Sequence, residues 1–402
     1  MKGTLWAALS AFAAGAFAYL LLRAESQTAI AVLLAGASVV AVVAARVRKR
    51  SALRKTAATA GGAASRPTAT ADSAASLPAA RTAEPASRER MALALFVAAM
   101  VAVALLLRED DFALLLVARV LIAIIACLGL NVQFGYAGVV NFAGASFFGV
   151  GGYTAAVLSH STHWPHLLLL FIGGVAAAGA GSLLLLPVLR TRGHYAALVT
   201  IAFALLFRTF LEVNDALGGP QGLKLKEMTM GPLHFNDPIE LGAFEGSFYL
   251  RYVLFAVLLA VLFYLLVQRV ERSFIGVALD AVRLDEIAAR CFGLSLARWK
   301  IAAFTLGNFV VGVAGALSAF LVGFIAPNNY AFSESLLFVA ILLLGGMGNP
   351  RGLAVAAAIV IVVPEKLQVI QEYRFLLFSA LVVAVLVFKP AGLLPRPMRR
   401  LP

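Results

Sequence analysis

Charged residues are scarce in this chain. Only 13% of its 402 residues are Asp, Glu, Lys or Arg, whereas a soluble globular domain has about 25%. Hydrophobic residues make up 62% and are gathered in long runs that rarely alternate with polar ones. Because a helix needs roughly 20 apolar residues to cross the hydrocarbon core, these runs predict an all-α, polytopic bundle of membrane helices rather than a soluble globule or a barrel.

The sequence also lacks the motifs of common catalytic and nucleotide-binding sites. It has no G-x-x-x-x-G-K-[ST] phosphate loop, since the glycine-rich stretch from Gly345 to Gly352 contains no lysine. It has no Ser-His-Asp order, no H-E-x-x-H motif and no paired carboxylates within the apolar runs. We therefore predict that the chain is not an enzyme and binds no cofactor. Any energy that it uses must come from another protein.

Cysteine and histidine are rare as well. Cys127 lies in an apolar run and Cys291 in a charged segment, so we expect neither a disulfide nor a cysteine metal site. Three of the five histidines, His160, His163 and His166, lie close together between two runs. We interpret them as an interfacial polar cluster rather than a metal site.

Twelve apolar runs are candidate membrane spans, at 5–22, 29–45, 91–107, 112–134, 140–158, 167–189, 195–211, 251–267, 301–325, 332–344, 353–364 and 375–388. The first two predict an N-terminal transmembrane hairpin (1–45), and we interpret the first as a retained span rather than a signal peptide because no convincing cleavage site follows it. The other ten predict a ten-span core. The runs at 332–344 and 353–364 are short, so they are either discontinuous helices or a re-entrant pair.

The basic residues indicate which side of the membrane each segment faces. Residues 46–90 form a predicted disordered linker with ten basic and three acidic residues, which accounts for seven of the thirteen net positive charges. By the positive-inside rule this linker is cytoplasmic. Crossing the membrane at each run then places segment 268–300, the tail 396–402 and both termini in the cytoplasm. We thus expect contact with membrane lipid and not with nucleic acid.

The charged segment 268–300 interrupts the apolar runs and is itself patterned. Within it, Gly293 lies where the C-terminal cap of a helix is expected. Two short apolar faces occur in it at helical spacing: Phe274, Ala278 and Val282, then Leu284, Ile287, Ala288 and Cys291. We predict a pair of short amphipathic helices on the cytoplasmic surface. They are either a binding surface for another protein or plain surface helices.

Polar and small residues are concentrated between residues 128 and 159. The glycines allow close helix packing, and the polar side chains lie where lipid cannot satisfy them. The polar set includes Asn131, Tyr136, Asn141, Ser146 and Tyr153. The segment predicts a translocation pathway, with ordinary small-residue packing as the alternative for any one residue.

Four ordered stretches resemble the LivM-type permeases, the membrane subunits of ATP-driven importers of branched-chain amino acids. They are LNVQFGYAG (130–138), RGHYAALVTIAF with LGGPQGL (192–203 and 217–223), RLDEIAARCFGLSLARWKIAAF (283–304), and ILLLGGMGNPRG with FKPAGLLP (341–352 and 388–395). The resemblance covers about residues 91–395, and it does not cover the linker. It implies a permease core at 91–395 in the bacterial inner membrane.

The resemblance also implies roles and partners. The helix pair, with Glu286, Ala288, Ala289, Arg290 and Gly293, is expected to dock on an ATPase, and Thr200 is expected to join the pathway residues. The implied partners are two ATPase subunits that bind ATP and Mg²⁺, a second homologous permease and a periplasmic substrate-binding protein. Glu286 and Arg290, four residues apart, could pair with each other or with the partner.

One departure keeps the substrate open. Relatives often have a Ser-x-Gly-His turn where this chain has Asn141, Phe142, Ala143 and Gly144. A permease for urea, short amides or another small polar solute is therefore the alternative. An ion-coupled secondary transporter is less favoured because the spans contain few ionisable groups. A membrane-embedded enzyme is less favoured because the chain lacks a catalytic motif.

Two acidic residues outside the helix pair have local explanations. Glu334 is predicted to be a first-turn acid that the helix dipole favours. Arg208 and Glu212, four apart at the end of a span, either form an ion pair or extend separately to the interface.

Overall fold

A computed structural model describes residues 86–108, 110–162, 164–189, 195–230, 233–235, 237, 239–241, 244–366, 383, 392–394 and 396. The predicted hairpin, the linker up to residue 85 and most of the last apolar run lie outside these residues. Every predicted run between residues 91 and 364 contains a helix.

The helices, in chain order, are α1 (Ala86–Leu106), α2 (Asp111–Asn131), α3 (Gly144–Ser161), α4 (His166–Val188), α5 (Tyr195–Val213), α6 (Phe248–Arg272), α7 (Phe274–Leu284), α8 (Glu286–Cys291), α9 (Leu296–Val322), α10 (Phe332–Gly345) and α11 (Pro350–Lys366). A π-helical segment, Val132–Tyr136, continues α2 and is called the π-turn below. Short 3₁₀ turns occur at Asp215–Leu217, Gly219–Gln221 and Pro327–Tyr330.

Six short strands form three two-stranded antiparallel pairs. They are β1 (Leu223–Lys224), β2 (Thr229–Met230), β3 (Leu233–His234), β4 (Ile239–Leu241), β5 (Phe244–Gly246) and β6 (Phe324–Ile325). The strand β1 pairs with β6, with Leu223 opposite Ile325, and β2 pairs with β3 and β4 with β5. The first pair joins the loop after α5 to the end of α9.

Fewer helices than predicted meet the length and apolarity expected of a membrane span. Among the described residues five do so: α2 with the π-turn, α4, α6, α9, and α10 with its preceding 3₁₀ turn. The helix α5 and the 3₁₀ turns after it would make a sixth, bent by 90°. The apolar part of α1 is shorter, and α11 has 17 residues. The fold is thus a polytopic helix bundle, and the count of ten spans stays a prediction.

Glycines set the closest helix contacts, where α9 packs against α3 and α4. A Cβ added at Gly151 on α3 would collide with the carbonyl oxygen of Gly312 on α9, and one at Gly315 with the carbonyl oxygen of Phe148. On α4, a Cβ at Gly173 would come within 2.7 Å of the carbonyl oxygen of Gly151. The three backbones therefore approach as closely as small residues permit.

The bundle has two distinct ends. One, the α7–α8 end, holds the helix pair, the π-turn and the turn between α10 and α11. The other, the strand end, holds β1 to β6 and the start of α6, where Ser247 donates its backbone N–H to the carbonyl of Arg108 at 3.2 Å. The helix pair and the strands thus lie at opposite ends of the bundle.

Candidate functional site

The predicted helix pair is present, and its sequence explains both helix starts. Ser273 precedes α7 and its hydroxyl accepts the N–H of Ile275 at 3.2 Å. Asp285 separates the two helices and its carboxylate accepts the N–H groups of Ile287 and Ala288 at 2.8 and 3.0 Å. Such side-chain caps satisfy the N–H groups that a helix start leaves without partners.

The chain turns after α8 at Gly293. Its φ is +79°, and its N–H bonds to the carbonyl of Arg290 at 2.9 Å. Because a left-handed backbone favours glycine, this residue lets the chain turn back toward α9 as predicted.

The two apolar faces of the pair differ from each other in how far they are buried. Ala278, Val282 and Ala289 are buried. Phe274, at the start of the first face, is 71% exposed, and its ring lies 6.0 Å from that of Trp299. The second face is open rather than packed, and its largest exposed side chains are Leu284 (76%), Ile287 (77%) and, next to it, Phe292 (88%). The surface formed by Leu284, Ile287 and Phe292 is called the apolar surface below.

Glu286 forms an ion pair, but not the one within α8. Its carboxylate accepts a hydrogen bond from Lys300 Nζ at 2.6 Å. Lys300 belongs to α9, so the pair ties α8 to the start of a core helix. It also leaves Arg290 on the exposed side of α8.

A network of three amide side chains lies inside the bundle, called the amide network below. Gln133 on the π-turn donates to Asn308 Oδ1 on α9 at 2.9 Å, and Asn141 donates to Gln133 Oε1 at 2.7 Å. All three residues are fully buried. Of the three, only Asn141 was predicted.

Backbone N–H groups of the loop before α3, and of the start of α3 itself, are hydrogen-bonded by side chains. Asn141 Oδ1 accepts the N–H of Ala143 at 2.9 Å, and Thr200 on α5 accepts the N–H of Phe142 at 3.1 Å. Ser335 on α10 accepts the N–H of Ala145 at 2.9 Å. The start of α3 is therefore held by side chains from two other helices.

Aromatic rings lie directly beside the amide network. Gln133 also donates to the carbonyl of Phe304 at 3.4 Å, and the Phe304 ring meets that of Phe147 edge-on at 5.9 Å. Phe147 stacks on Phe203 at 5.2 Å, and Phe203 on Phe207 at 6.1 Å. The uncharged hydrogen-bonding groups of the amide network thus lie next to a row of aromatic rings in the core.

The other predicted pathway residues occupy separate places. Asn131 accepts the N–H of Gly348 at 2.8 Å, near the α7–α8 end. Ser146 and Tyr153 lie two turns apart on α3, and within the described part of the chain their hydroxyl groups have no hydrogen-bond partner. The ring of Tyr153 lies 5.6 Å from that of Tyr330. The residues do not form one cluster.

Tyr136 belongs to an ionic cluster instead of to the amide network. Its hydroxyl donates to Glu271 at 3.2 Å, and the guanidinium carbon of Arg396 lies 4.6 Å from the centre of its ring. Arg396 also donates two hydrogen bonds to Asp280, at 2.6 and 2.9 Å. We call Tyr136, Glu271, Asp280 and Arg396 the arginine cluster.

The charge of Arg396 is secured by its neighbours. Burial by itself lowers the pKa of this guanidinium, but the hydrogen bonds and charge of Asp280, with Tyr136 and Glu271, raise the pKa above its ordinary value. Arg396 is the first residue of the predicted cytoplasmic tail, 396–402, and its side chain is only 12% exposed and packs on the core.

Sequence reasoning missed several of these residues for different reasons. Asn308 could have been found, because it is a lone amide in the middle of an apolar run. Glu271, Asp280 and Arg396 look like ordinary interface charges, and only the fold brings them together. Gln133 lies in the stretch LNVQFGYAG, in which the glycines, Asn131 and Tyr136 were interpreted and Gln133 was not.

The strand end contains polar contacts of a different kind. Arg208 pairs with Glu212 at 2.9 Å, as one of the two alternatives predicted, and also donates to Asn328 at 2.9 Å. The carbonyl of Lys224 accepts a hydrogen bond from His160 Nε2 at 2.5 Å, and the N–H of Thr229 donates to His166 Nδ1 at 3.2 Å. No group of three metal-binding side chains occurs among the described residues, which do not include His163. Glu334 lies in the first turn of α10, as predicted.

Comparisons with known proteins assign this architecture to a family. Residues 112–387 match the family described as branched-chain amino acid transport system / permease component. The chain is 38% identical over 297 residues to the high-affinity branched-chain amino acid transport system permease protein LivM of Escherichia coli K12, covering 70% of each chain. It is 23% identical over 320 residues to the probable permease protein LivM of Methanocaldococcus jannaschii, covering 67% of this chain and 90% of the other. No solved structure matches. The predicted resemblance is confirmed.

Proposed function

Because the chain belongs to the branched-chain amino acid transport permease family, we propose that it is the membrane permease subunit of an ATP-driven importer of branched-chain amino acids. Other subunits bind and hydrolyse ATP. The observation that carries this proposal is the helix pair α7–α8, which has a buried anchor in Ala278, Val282 and Ala289 and an apolar surface that faces outward. Three large exposed apolar side chains on one short segment are typical of a binding site for another protein.

The ATPase docks on this apolar surface. Leu284, Ile287 and Phe292 enter a groove on the partner, while Ala288 allows close approach of α8 and Gly293 returns the chain to the membrane. Glu286, held by Lys300, and Arg290 border the contact and can pair with charges of the partner. Two ATPase subunits, one for each of two permease chains, complete the transporter with a periplasmic binding protein.

The α7–α8 end lies in the cytoplasm. Arg269 and Arg272 end α6, and Arg283, Arg290, Arg298 and Lys300 follow within the next two helices and the start of α9. This density of basic residues beside spans is typical of the cytoplasmic side. The strand end then faces the binding protein, and both termini are cytoplasmic.

The amide network and the adjoining aromatic rings suit an aliphatic amino acid. Amide N–H groups can donate to a carboxylate and amide oxygens can accept from an ammonium group, with no buried charge on the protein. The rings of Phe147, Phe203 and Phe207 can contact a branched aliphatic side chain. The pathway in this proposal runs past Asn131, Asn141, Ser146, Tyr153 and Thr200, with Gln133 and Asn308 added to the predicted set. Tyr136 serves the arginine cluster beside it.

Uptake of labelled leucine in cells that express the complete transporter tests the proposal. Unlabelled isoleucine and valine should compete, and urea should not. ATP depletion should stop uptake, and a proton uncoupler at constant ATP should leave it intact. Competition by urea instead of isoleucine would support a small-amide permease, and uptake that survives ATP depletion but not the uncoupler would support an ion-coupled transporter.

A further inference from the structure

The arginine cluster joins three separate parts of the chain at the α7–α8 end. Arg396 makes a two-point contact with Asp280 on α7 at 2.6 and 2.9 Å, and its Nη2 lies 3.7 Å from Glu271 at the end of α6. Its guanidinium also covers the ring of Tyr136, the last residue of the π-turn. Two-point arginine–carboxylate pairs fix geometry more strictly than single contacts, and the ring adds a cation–π contact.

The segment that holds Arg396 is itself anchored to the core. The N–H of Leu393 bonds to the carbonyl of Leu344 at 2.8 Å, and Asn349 donates to the carbonyl of Leu394 at 2.9 Å. The stem of Arg396 lies against Gly348, where an added Cβ would approach Arg396 Cδ to 2.6 Å. Arg396 therefore extends from a fixed base and not from a loose tail.

The π-turn connects the arginine cluster to the amide network, because it contains a residue of each. Tyr136 and Gln133 belong to one π-turn, and Gln133 holds Asn141 and Asn308. The π-turn is an irregularity in a long helix, and such irregularities are frequent at functional sites. The loop after it touches α7 as well, since Gly138 lies against the side chain of Arg283.

We infer that Arg396 is a positioning residue that couples α7 to the π-turn, so that displacement of the helix pair is transmitted to the amide network. The inference rests on the proposed function, because an ATPase must supply the displacement. A displacement of α7 moves Asp280 and with it Arg396. Arg396 in turn moves Tyr136, which belongs to the same π-turn as Gln133. Without Arg396 the carboxylates of Glu271 and Asp280 lose the cation between them, and the two-point link from α7 to the π-turn is lost, while Gly138 still packs against Arg283.

The test uses the complete transporter reconstituted in vesicles and measures leucine transported per ATP hydrolysed. In Arg396→Gln this ratio should fall about tenfold, within the usual range of coupling between sites, while ATP hydrolysis continues. Arg396→Lys keeps the charge without the two-point geometry and should give an intermediate ratio. Arg298→Gln is the matched control, since Arg298 is an exposed arginine at the same end, and its ratio should equal that of the wild type. An unchanged ratio in Arg396→Gln would overturn the inference.

Labelling of the two native cysteines separates coupling from loss of structure. Cys291 on α8 is exposed and Cys127 is buried, so a maleimide should label only Cys291 in the isolated chain, and docking of the ATPase should protect it. Arg396→Gln should keep this protection. Loss of protection would mean that Arg396 merely holds the helix pair in shape, and it would overturn the coupling role.

A double-mutant cycle tests whether Arg396 and Asp280 act as a unit. Asp280→Asn should lower the transport ratio as Arg396→Gln does, and the double variant should be no worse than either single one. Multiplied losses in the double variant would show independent effects and contradict the inference. Failure of the proposed function would look different, because the wild-type complex itself would then show no ATP-dependent leucine uptake.

Discussion

Where α3 and α4 meet α9, a Cβ on Gly151 or Gly315 would collide with the backbone of the neighbouring helix, whereas a Cβ on Gly293, just after α8, would meet nothing within 4 Å. The first region buries its residues in contacts made within the chain. The second leaves Leu284, Ile287 and Phe292 exposed. The difference separates the part of the molecule that is complete by itself from the part whose surface requires a partner. Substitutions in the two regions should therefore affect different properties.

The largest effect on stability is expected from Gly173→Leu on α4. Its Cβ would come within 2.7 Å of the carbonyl oxygen of Gly151 and 3.3 Å of Ala316 Cβ, so α3 and α9 would have to move apart. Overpacking of this kind costs about 1–3 kcal/mol. Unfolding in mixed micelles with a rising fraction of SDS measures the loss.

Gly179→Leu is the matched control on the same helix, because a Cβ there meets nothing within 4 Å. It should change the free energy of unfolding by no more than about 0.5 kcal/mol. Equal losses in the two variants would show that the close contact of α3, α4 and α9 does not limit stability.

A smaller loss, of about 1–2 kcal/mol, is expected from Asn308→Leu, which removes the acceptor of Gln133 in the core. Gln133→Leu should cost a similar amount. The double variant should cost less than the sum, because both single changes break the same hydrogen bond. The SDS unfolding assay measures all three, and strictly additive costs would mean that the amide network is not a coupled unit.

At the α7–α8 end, Glu286→Gln should cost at most about 1 kcal/mol, since it removes one ion pair that is about half exposed on the Glu286 side. Leucine uptake should nevertheless be lost while the protein stays in the membrane. Lys300→Gln breaks the same pair and is the control, and it should retain uptake. Loss of uptake in both variants would show that the ion pair itself, and not a contact of Glu286 with the ATPase, is what matters.

The helix pair was predictable because its information is local. Ser273, Asp285 and Gly293 mark the helix ends in the sequence, and the apolar residues between them show helical spacing. The exposure of Phe274 was not predictable, because helical spacing places residues on one face but does not say how far the packing partner extends along that face. Only the fold shows that the core covers Ala278 and Val282 but does not reach Phe274.

The arginine cluster was not predictable, because its members lie at positions 136, 271, 280 and 396. Nothing in the sequence around Arg396 distinguishes it from the other basic residues near the C-terminus. The amide network is an intermediate case. Asn308 is conspicuous in its apolar run, but its pairing with Gln133 depends on how α2 packs against α9, which one sequence does not specify.

The smallest effect on stability is expected at the apolar surface itself. Ile287→Asp places a carboxylate on a side chain that is 77% exposed, so the free energy of unfolding should change by no more than about 0.5 kcal/mol. Ala297→Asp adds the same group at an exposed position in the first turn of α9 and is the control.

Leucine uptake by these two variants, compared with the wild type at equal amounts in the membrane, tests most directly whether the helix pair is where an ATPase drives this permease. Ile287→Asp should abolish ATP-dependent uptake because a charged group cannot enter an apolar groove without a partner. Ala297→Asp should transport like the wild type. Normal uptake by Ile287→Asp would contradict the account.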